Sequence, residues 1–367
     1  LYDTLCRVVG FHGKTLISLV EKAQALPEES LPQPLLNLMD MPGYRKAFKT
    51  QQVTLASWTP DYKKLILFVD GGATSGGYYL ADTVTKRVDP IGVAYPNIPT
   101  KDIGAVRVIR YPAADGLEIE AYLTLPPGRP EKDLPLVVLP HGGPRARDDA
   151  GFDYEAQALV SRGYAVLKPN FRGSTGYGRK FVLAGYGEWG AKMQTDLSDG
   201  VAYLTKQGIV DPKRVCIMGS SYGGYAALAG VTLQKGVYRC AVAISAVSDA
   251  RKLMQDDILK YGEFNAGVRD IKQLFAVDSV NDPKLRARSP SDHAADADAP
   301  ILLVHGRDDT VVPFAHSKIM ASALKDAGKP VEFVVLDGED HWMSRSETRL
   351  QKLNAAITFL EKQNPPN

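Results

Sequence analysis

From about residue 105 onward the sequence predicts an α/β fold, a mostly parallel sheet flanked by helices, preceded by a short β-rich stretch. Three observations carry this. Apolar, β-branched runs without polar alternation recur through the region, as strands buried on both faces do. Longer amphipathic segments lie between them, the pattern of helices crossing over a parallel sheet. One strand-like run ends in Gly219-Ser220-Ser221-Tyr222-Gly223-Gly224, immediately before a helix-like run.

Taken in order, the buried strands are expected over 136–140, 165–169, 214–218, 240–245, 301–305 and 331–336. Helices are expected over 154–161, 194–206, 222–234, 315–327 and 347–362. Two extended runs, 105–110 and 117–125, flank the turn-forming Ala113-Ala114-Asp115-Gly116 and read as a hairpin leading into the sheet. Ahead of them, short strands over 53–58, 64–69 and 78–81 are parted by Thr59-Pro60-Asp61-Tyr62 and Asp70-Gly71-Gly72. A helical stretch over 15–26 and a proline-rich loop over 27–34 complete the N-terminal part. Two domains follow, 1–104 and 105–367, which suits a chain of 367 residues.

The composition is 44% hydrophobic and 23% charged, with 44 basic against 42 acidic residues and no block of one sign. It is that of a soluble globular protein, and nothing points to nucleic acid or an acidic membrane surface. No apolar run reaches the roughly 18 to 20 residues that span a bilayer. The chain starts at Leu1, so the expectation is that the true N-terminus is absent, and the compartment is either cytoplasmic or periplasmic. The three cysteines are widely spaced, and Cys216 and Cys240 read as buried thiols rather than a disulfide framework or a metal site.

The chemistry starts at the glycine-flanked serine. G-x-S-x-G between a strand and a helix is the nucleophile elbow of the α/β-hydrolase fold. Glycines at 219 and 223 are required because the turn is too sharp for side chains there, and the strain thrusts Ser221 outward. Ser220 does not fit, since Met218 and Tyr222 would then stand at the glycine positions. The triad order Ser, acid, His directs attention to histidines after Ser221. Among the six, His293 and His305 come too early, and His316 reads as a helix surface residue. His341, in the loop after the strand ending at residue 336, is the expected base. The acid should follow the strand ending at His305, where Asp308 and Asp309 both qualify. For the oxyanion, one N–H belongs to Tyr222, directly after the nucleophile. The other belongs to the turn His141-Gly142-Gly143-Pro144.

These segments, with Asn170-Phe171-Arg172-Gly173-Ser174-Thr175-Gly176-Tyr177-Gly178, Ser289-Pro290 and the run from His305 to Pro313, resemble the prolyl oligopeptidase family of serine peptidases. The likeness is to its acylaminoacyl-peptidase and dipeptidyl-peptidase-like branches, and extends over nearly all of the chain after residue 105. It implies an α/β-hydrolase catalytic domain, with Asp309 as the acid and Gly143 as the second oxyanion donor. It also implies that the first hundred residues are the end of a β-propeller, a remnant rather than a whole one. Val247, Leu253 and Met254 would fall near the primary specificity pocket, and Val311 takes the place two residues beyond the acid. Arg172 is expected as a structural ion-pair partner, and Glu28-Glu29 as a solvated loop.

The expected function is therefore hydrolysis of peptide bonds in short peptides through an acyl-enzyme, with no metal or organic cofactor. The rivals are a carboxylesterase acting on small acyl esters, which the same machinery serves, and a non-catalytic module of the same fold. Oligomeric state is not legible.

Overall fold

The computed structural model describes Phe48 and residues 51–366. Cys6, the stretch 15–26, the proline-rich 27–34 and Glu28-Glu29 lie outside the described residues. The chain divides into two compact units. One takes the described residues up to Arg107 with Ala150–Gln157; the other takes Val108–Asp149 and the residues from Ala158 onward.

In the first unit, β1 (Gln52–Trp58), β2 (Lys64–Gly71), β3 (Thr74–Asp82) and β4 (Arg87–Val93) form an antiparallel sheet in chain order. Leu65, Leu67, Val69 and Ala81 form its buried centre, with Trp58 and Tyr79 against them. The strand β4 was not expected from the sequence. Arg87, Asp89 and Pro90 interrupt its apolar pattern, and it lies at the sheet edge, where a proline costs no ladder bond.

The second unit holds an eight-stranded sheet in the order β12-β11-β10-β9-β7-β8-β6-β5. Its strands are β5 (Val106–Pro112), β6 (Glu118–Thr124), β7 (Leu134–Val138), β8 (Ala165–Asn170), β9 (Val210–Ser220), β10 (Cys240–Ile244), β11 (Ile301–Gly306) and β12 (Val331–Leu336). From β8 across to β12 neighbours run parallel, and β6 joins β8 antiparallel. Every residue of β7, β8, β10 and β11 is buried, which explains why they are mostly apolar on both faces.

The helices are α1 (Tyr154–Ser161), α2 (Arg179–Leu183), α3 (Lys192–Lys206), α4 (Tyr222–Thr232), α5 (Ala250–Tyr261), α6 (Ala266–Phe275), α7 (Pro283–Ala287), α8 (Ala315–Asp326) and α9 (Ser346–Gln363). Helices α2, α5, α6 and α7 were not anticipated. Three of them carried start signals: Asp249, Asn265 and Asp282 each cap a helix, accepting the N–H of Lys252, Gly267 and Lys284, and Pro283 opens α7.

One expectation is corrected in the sheet centre. Cys216 on β9 and Cys240 on β10 are directly opposed in register and are joined by a disulfide, with Cα atoms 4.8 Å apart. Buried thiols were expected because the 24-residue separation says nothing about pairing until the two strands are known to be neighbours.

Candidate active site

Ser221 sits between β9 and α4 with φ 59° and ψ −118°. A non-glycine residue there is strained, at a cost of roughly 1–3 kcal/mol, and is held only if its surroundings enforce it. Here they do. Its N–H donates to Ile244 O at 2.9 Å, and its carbonyl accepts from Tyr225 N–H at 2.9 Å. A Cβ on Gly219 would lie 2.5 Å from the Gly223 backbone, and one on Gly223 would lie 2.2 Å from Pro140 O. Helix α4 is buried along its whole length, so the elbow rests on an immobile element.

Asp309 and His341, the expected acid and base, lie in the loops that follow the adjacent parallel strands β11 and β12. β11 ends at Gly306, where a Cβ would stand 2.5 Å from Glu339 O. Beyond it, Arg307 N–H donates to Leu336 O at 2.9 Å and Asp308 N–H to Glu339 O at 3.0 Å, joining the loops after β11 and β12. Glu339 is itself buried and holds the second loop, accepting from the N–H groups of Asp340 and Ser344 and from the Thr348 hydroxyl. Within this frame His341 Nδ1 lies 2.7 Å from Asp309 Oδ2. Asp309 Oδ1 accepts the N–H groups of Val311 and Val312, each at 2.9 Å. Burial alone would raise the Asp309 carboxyl. The hydrogen bonds from His305 and His341, the nearby imidazole charge and the Val311 N–H outweigh it and hold the group well below the usual carboxylate range. Asp308 points its side chain into solvent. The two aspartates that the residues alone left equivalent are thus separated by burial.

The turn after β7 lies against the elbow: a Cβ on Gly142 would stand 3.5 Å from Ser221 Cβ. Gly143 is exposed, with φ 116°, and a side chain there would meet Arg145 N at 2.7 Å. His141 sets the geometry of this turn. Its Nδ1 is 2.6 Å from Gly142 O, and its Nε2 is 2.8 Å from Ser174 Oγ. A carbonyl only accepts, so Nδ1 carries the proton; the single Ser174 hydroxyl proton is shared between Nε2 and Phe171 O, which lies 2.7 Å from the same oxygen. Because the peptide is planar, fixing Gly142 O also fixes the direction of Gly143 N–H. Phe171 stacks on the imidazole, with ring centroids 4.4 Å apart. Burial, aided by the Lys168 charge, pushes His141 down to about 4 against the bond to Gly142, so it is neutral at physiological pH. Tyr222 opens α4, where helical N–H groups have no intrahelical acceptor.

Val247, Leu253 and Met254 are 3%, 8% and 0% exposed and belong to the main core, whereas Val311 is 46% exposed. Arg172 is a structural ion-pair residue as expected, bound by both Asp196, at 2.7 Å, and Asp115, at 2.8 Å. His316 is corrected: it is fully buried, not a surface residue, and its Nδ1 accepts from Ser248 N–H at 3.3 Å. His305, set aside as too early to be the base, is also buried, with Nε2 3.3 Å from Asp309 Oδ2.

Sheet order, elbow and the loops at the carboxyl ends of β7, β9, β11 and β12 define an α/β hydrolase. The chain belongs to the prolyl oligopeptidase family, whose model matches residues 150–365. It is 34% identical over 309 residues to dipeptidyl aminopeptidase BIII of Pseudoxanthomonas mexicana, covering 80% of this chain and 44% of that protein. It is 30% identical over 251 residues to the human (Homo sapiens) acylamino-acid-releasing enzyme, covering 67% of this chain and 34% of that protein. Among solved structures, a Mycobacterium tuberculosis puromycin-hydrolyzing peptidase superposes with a TM-score of 0.75 at 27% identity, over 82% of this chain and 46% of that one. The chain spans less than half the length of these relatives.

Proposed function

We propose that this chain is a serine peptidase that cleaves short peptides through a covalent acyl-enzyme. The observation that carries this is the 2.7 Å bond between His341 Nδ1 and the buried carboxylate of Asp309, at the sheet edge where Ser221 stands on its strained turn. Ser221 Oγ attacks the scissile carbonyl while His341 Nε2 takes its proton. Asp309 holds the imidazole tautomer and stabilises the imidazolium. The N–H groups of Gly143 and Tyr222 bind the oxyanion. The tetrahedral species collapses, and His341 returns the proton to the leaving amine. Water, activated by the same imidazole, then hydrolyses the ester to free acid and Ser221.

Short peptides are the substrate class because the relatives are named as dipeptidyl and acylamino-acid-releasing enzymes. Val311 is the exposed apolar residue beside the acid. Val247, Leu253 and Met254 would floor the primary pocket from the core side and favour an apolar side chain there. We read the antiparallel β1–β4 sheet as a propeller blade, with the hydrolase domain starting near residue 105; four antiparallel strands in chain order are the form of such a blade.

A panel of peptide p-nitroanilides with free and acylated N-termini, set beside p-nitrophenyl butyrate, tests the assignment. Release of nitroaniline that disappears in Ser221→Ala is expected. Ester hydrolysis with every anilide untouched would make the protein a carboxylesterase instead.

A further inference from the structure

Asp309 faces a second imidazole, which the reaction as written leaves unused. His305 is the penultimate residue of β11 and is 0% exposed. Its Nδ1 lies 2.7 Å from Ser317 Oγ on α8, and its Nε2 lies 2.9 Å from Val312 O and 3.3 Å from Asp309 Oδ2. Carbonyl and carboxylate oxygens can only accept here, so Nε2 bears the proton and the Ser317 hydroxyl donates to Nδ1. The ring is therefore locked as one tautomer, with a single N–H shared between the backbone of the acid loop and the carboxylate. Phe314, edge-on at 5.6 Å, closes the side of the ring.

We propose that His305 is a positioning residue for the acid, its Nε2–H fixing the carboxylate of Asp309 in the rotamer that receives His341. This rests on the reading of Ser221, Asp309 and His341 as the triad. Asp309 Oδ1 is fully occupied by two backbone N–H groups, so only Oδ2 is left for the two rings. His341 reaches Oδ2 from the loop after β12; His305 reaches it from within the buried sheet. The same N–H holds Val312 O, tying the backbone that donates to Oδ1. One buried ring thus braces both ends of the carboxylate. Its own orientation is set by the buried Ser317 of α8.

Groups that orient metal or catalytic ligands from behind typically cost about ten- to hundred-fold when removed. His305→Leu should lower kcat about ten- to hundred-fold, with KM within about threefold, because the substrate meets Ser221 and not His305. His305→Gln places an amide N–H near the Nε2 position and should restore most of that loss. The Leu variant should also move the acid limb of kcat/KM to higher pH. Asp309 with one donor fewer attracts the His341 imidazolium more strongly. The other charges around the pair stay in place: Arg307 and Asp308 on the acid loop, Glu339 and Asp340 on the base loop, and His316 on α8 with Asp249, Lys252 and Asp256 of α5 facing it. If His305→Leu does not fold, Ser317→Ala replaces it. That variant keeps the ring but unlocks its tautomer, and a loss in kcat of about fivefold is expected. Unchanged kcat and acid limb in both variants, or a Gln variant no better than Leu, would overturn the proposal. Asp309→Asn, assayed in parallel, separates the two ideas. If it is inactive while the His305 variants are normal, the triad stands and the positioning role falls. If it is fully active, the triad reading itself fails.

Discussion

Asp309 and His341 are 32 positions apart, yet their side chains meet at 2.7 Å because parallel neighbours β11 and β12 release their loops at the same edge of the sheet. Asp308, one residue away, reaches solvent. Substitution should therefore distinguish the two sharply. Asp309→Asn should lower kcat about ten-thousand-fold by favouring the wrong imidazole tautomer. Asp308→Asn should leave kcat within a few-fold. Steady-state kinetics on one anilide substrate decides; the reverse ranking would move the acid to Asp308.

The elbow makes a steric prediction. Gly223→Ala would drive a methyl group to 2.2 Å from Pro140 O, a backbone atom that cannot give way. Loss of activity and a fall in Tm are expected together. Gly116→Ala is the control, since its position has φ +86° but open space around it. That variant should cost only about 1–2 kcal/mol for the left-handed backbone and keep full activity. Equal losses in both would mean that the elbow's crowding is relieved by movement.

Stability should fall in mild acid. The buried His316 is pushed from 6.5 down to about 4, chiefly by desolvation. An unfolded histidine binds its proton at about 6.5, so acid favours the unfolded chain. The stabilisation is complete above that value, is lost progressively as pH falls toward 4, and amounts to about 3 kcal/mol for this residue. His141, shifted the same way, adds to the trend. Urea midpoints at pH 7.5, 6 and 4.5 measure it, and His316→Gln should flatten the curve. A midpoint independent of pH across this window would contradict the burial argument.

The Arg172–Asp196 pair offers a test of the scaffold behind the site. Both side chains are nearly inaccessible, at 5% and 0% exposure, and Arg172 also holds Asp115. Arg172→Met leaves Asp196 buried without its cation and should cost about 3–5 kcal/mol. A double variant with Asp196→Leu should recover part of this. Denaturant unfolding of the three forms gives the coupling directly.

Much of this was legible before any coordinates. β7, β8, β10 and β11 announced themselves because strands buried on both faces have no polar alternation to obscure them. Gly219, Ser221 and Gly223 were legible because only one backbone shape needs glycines at that spacing. Asp309 and Asp308 could not be separated from the residues alone, since burial is set by the loop after β12, distant in the chain. His316 was misread, although Met320 and Leu324 mark a buried stripe at fourfold spacing on which it lies. The Cys216–Cys240 bond was missed because it depends on register, which one strand does not reveal. His141 stood in a recognised motif without a role, because its work is done through a backbone carbonyl. The mixed, half-exposed α5 and α6 hid because their charges masked the apolar stripe, leaving only their caps as signals.

Covalent labelling by a fluorophosphonate tests the central claim most directly, because it requires nucleophile, base and oxyanion donors to act on one phosphorus atom. The wild-type protein should take up close to one equivalent, with the adduct mapped by peptide mass to Ser221. Ser221→Ala should take up none, while Ser220→Ala should label. Full labelling of Ser221→Ala, or an adduct on Ser220 in the wild type, would contradict the account.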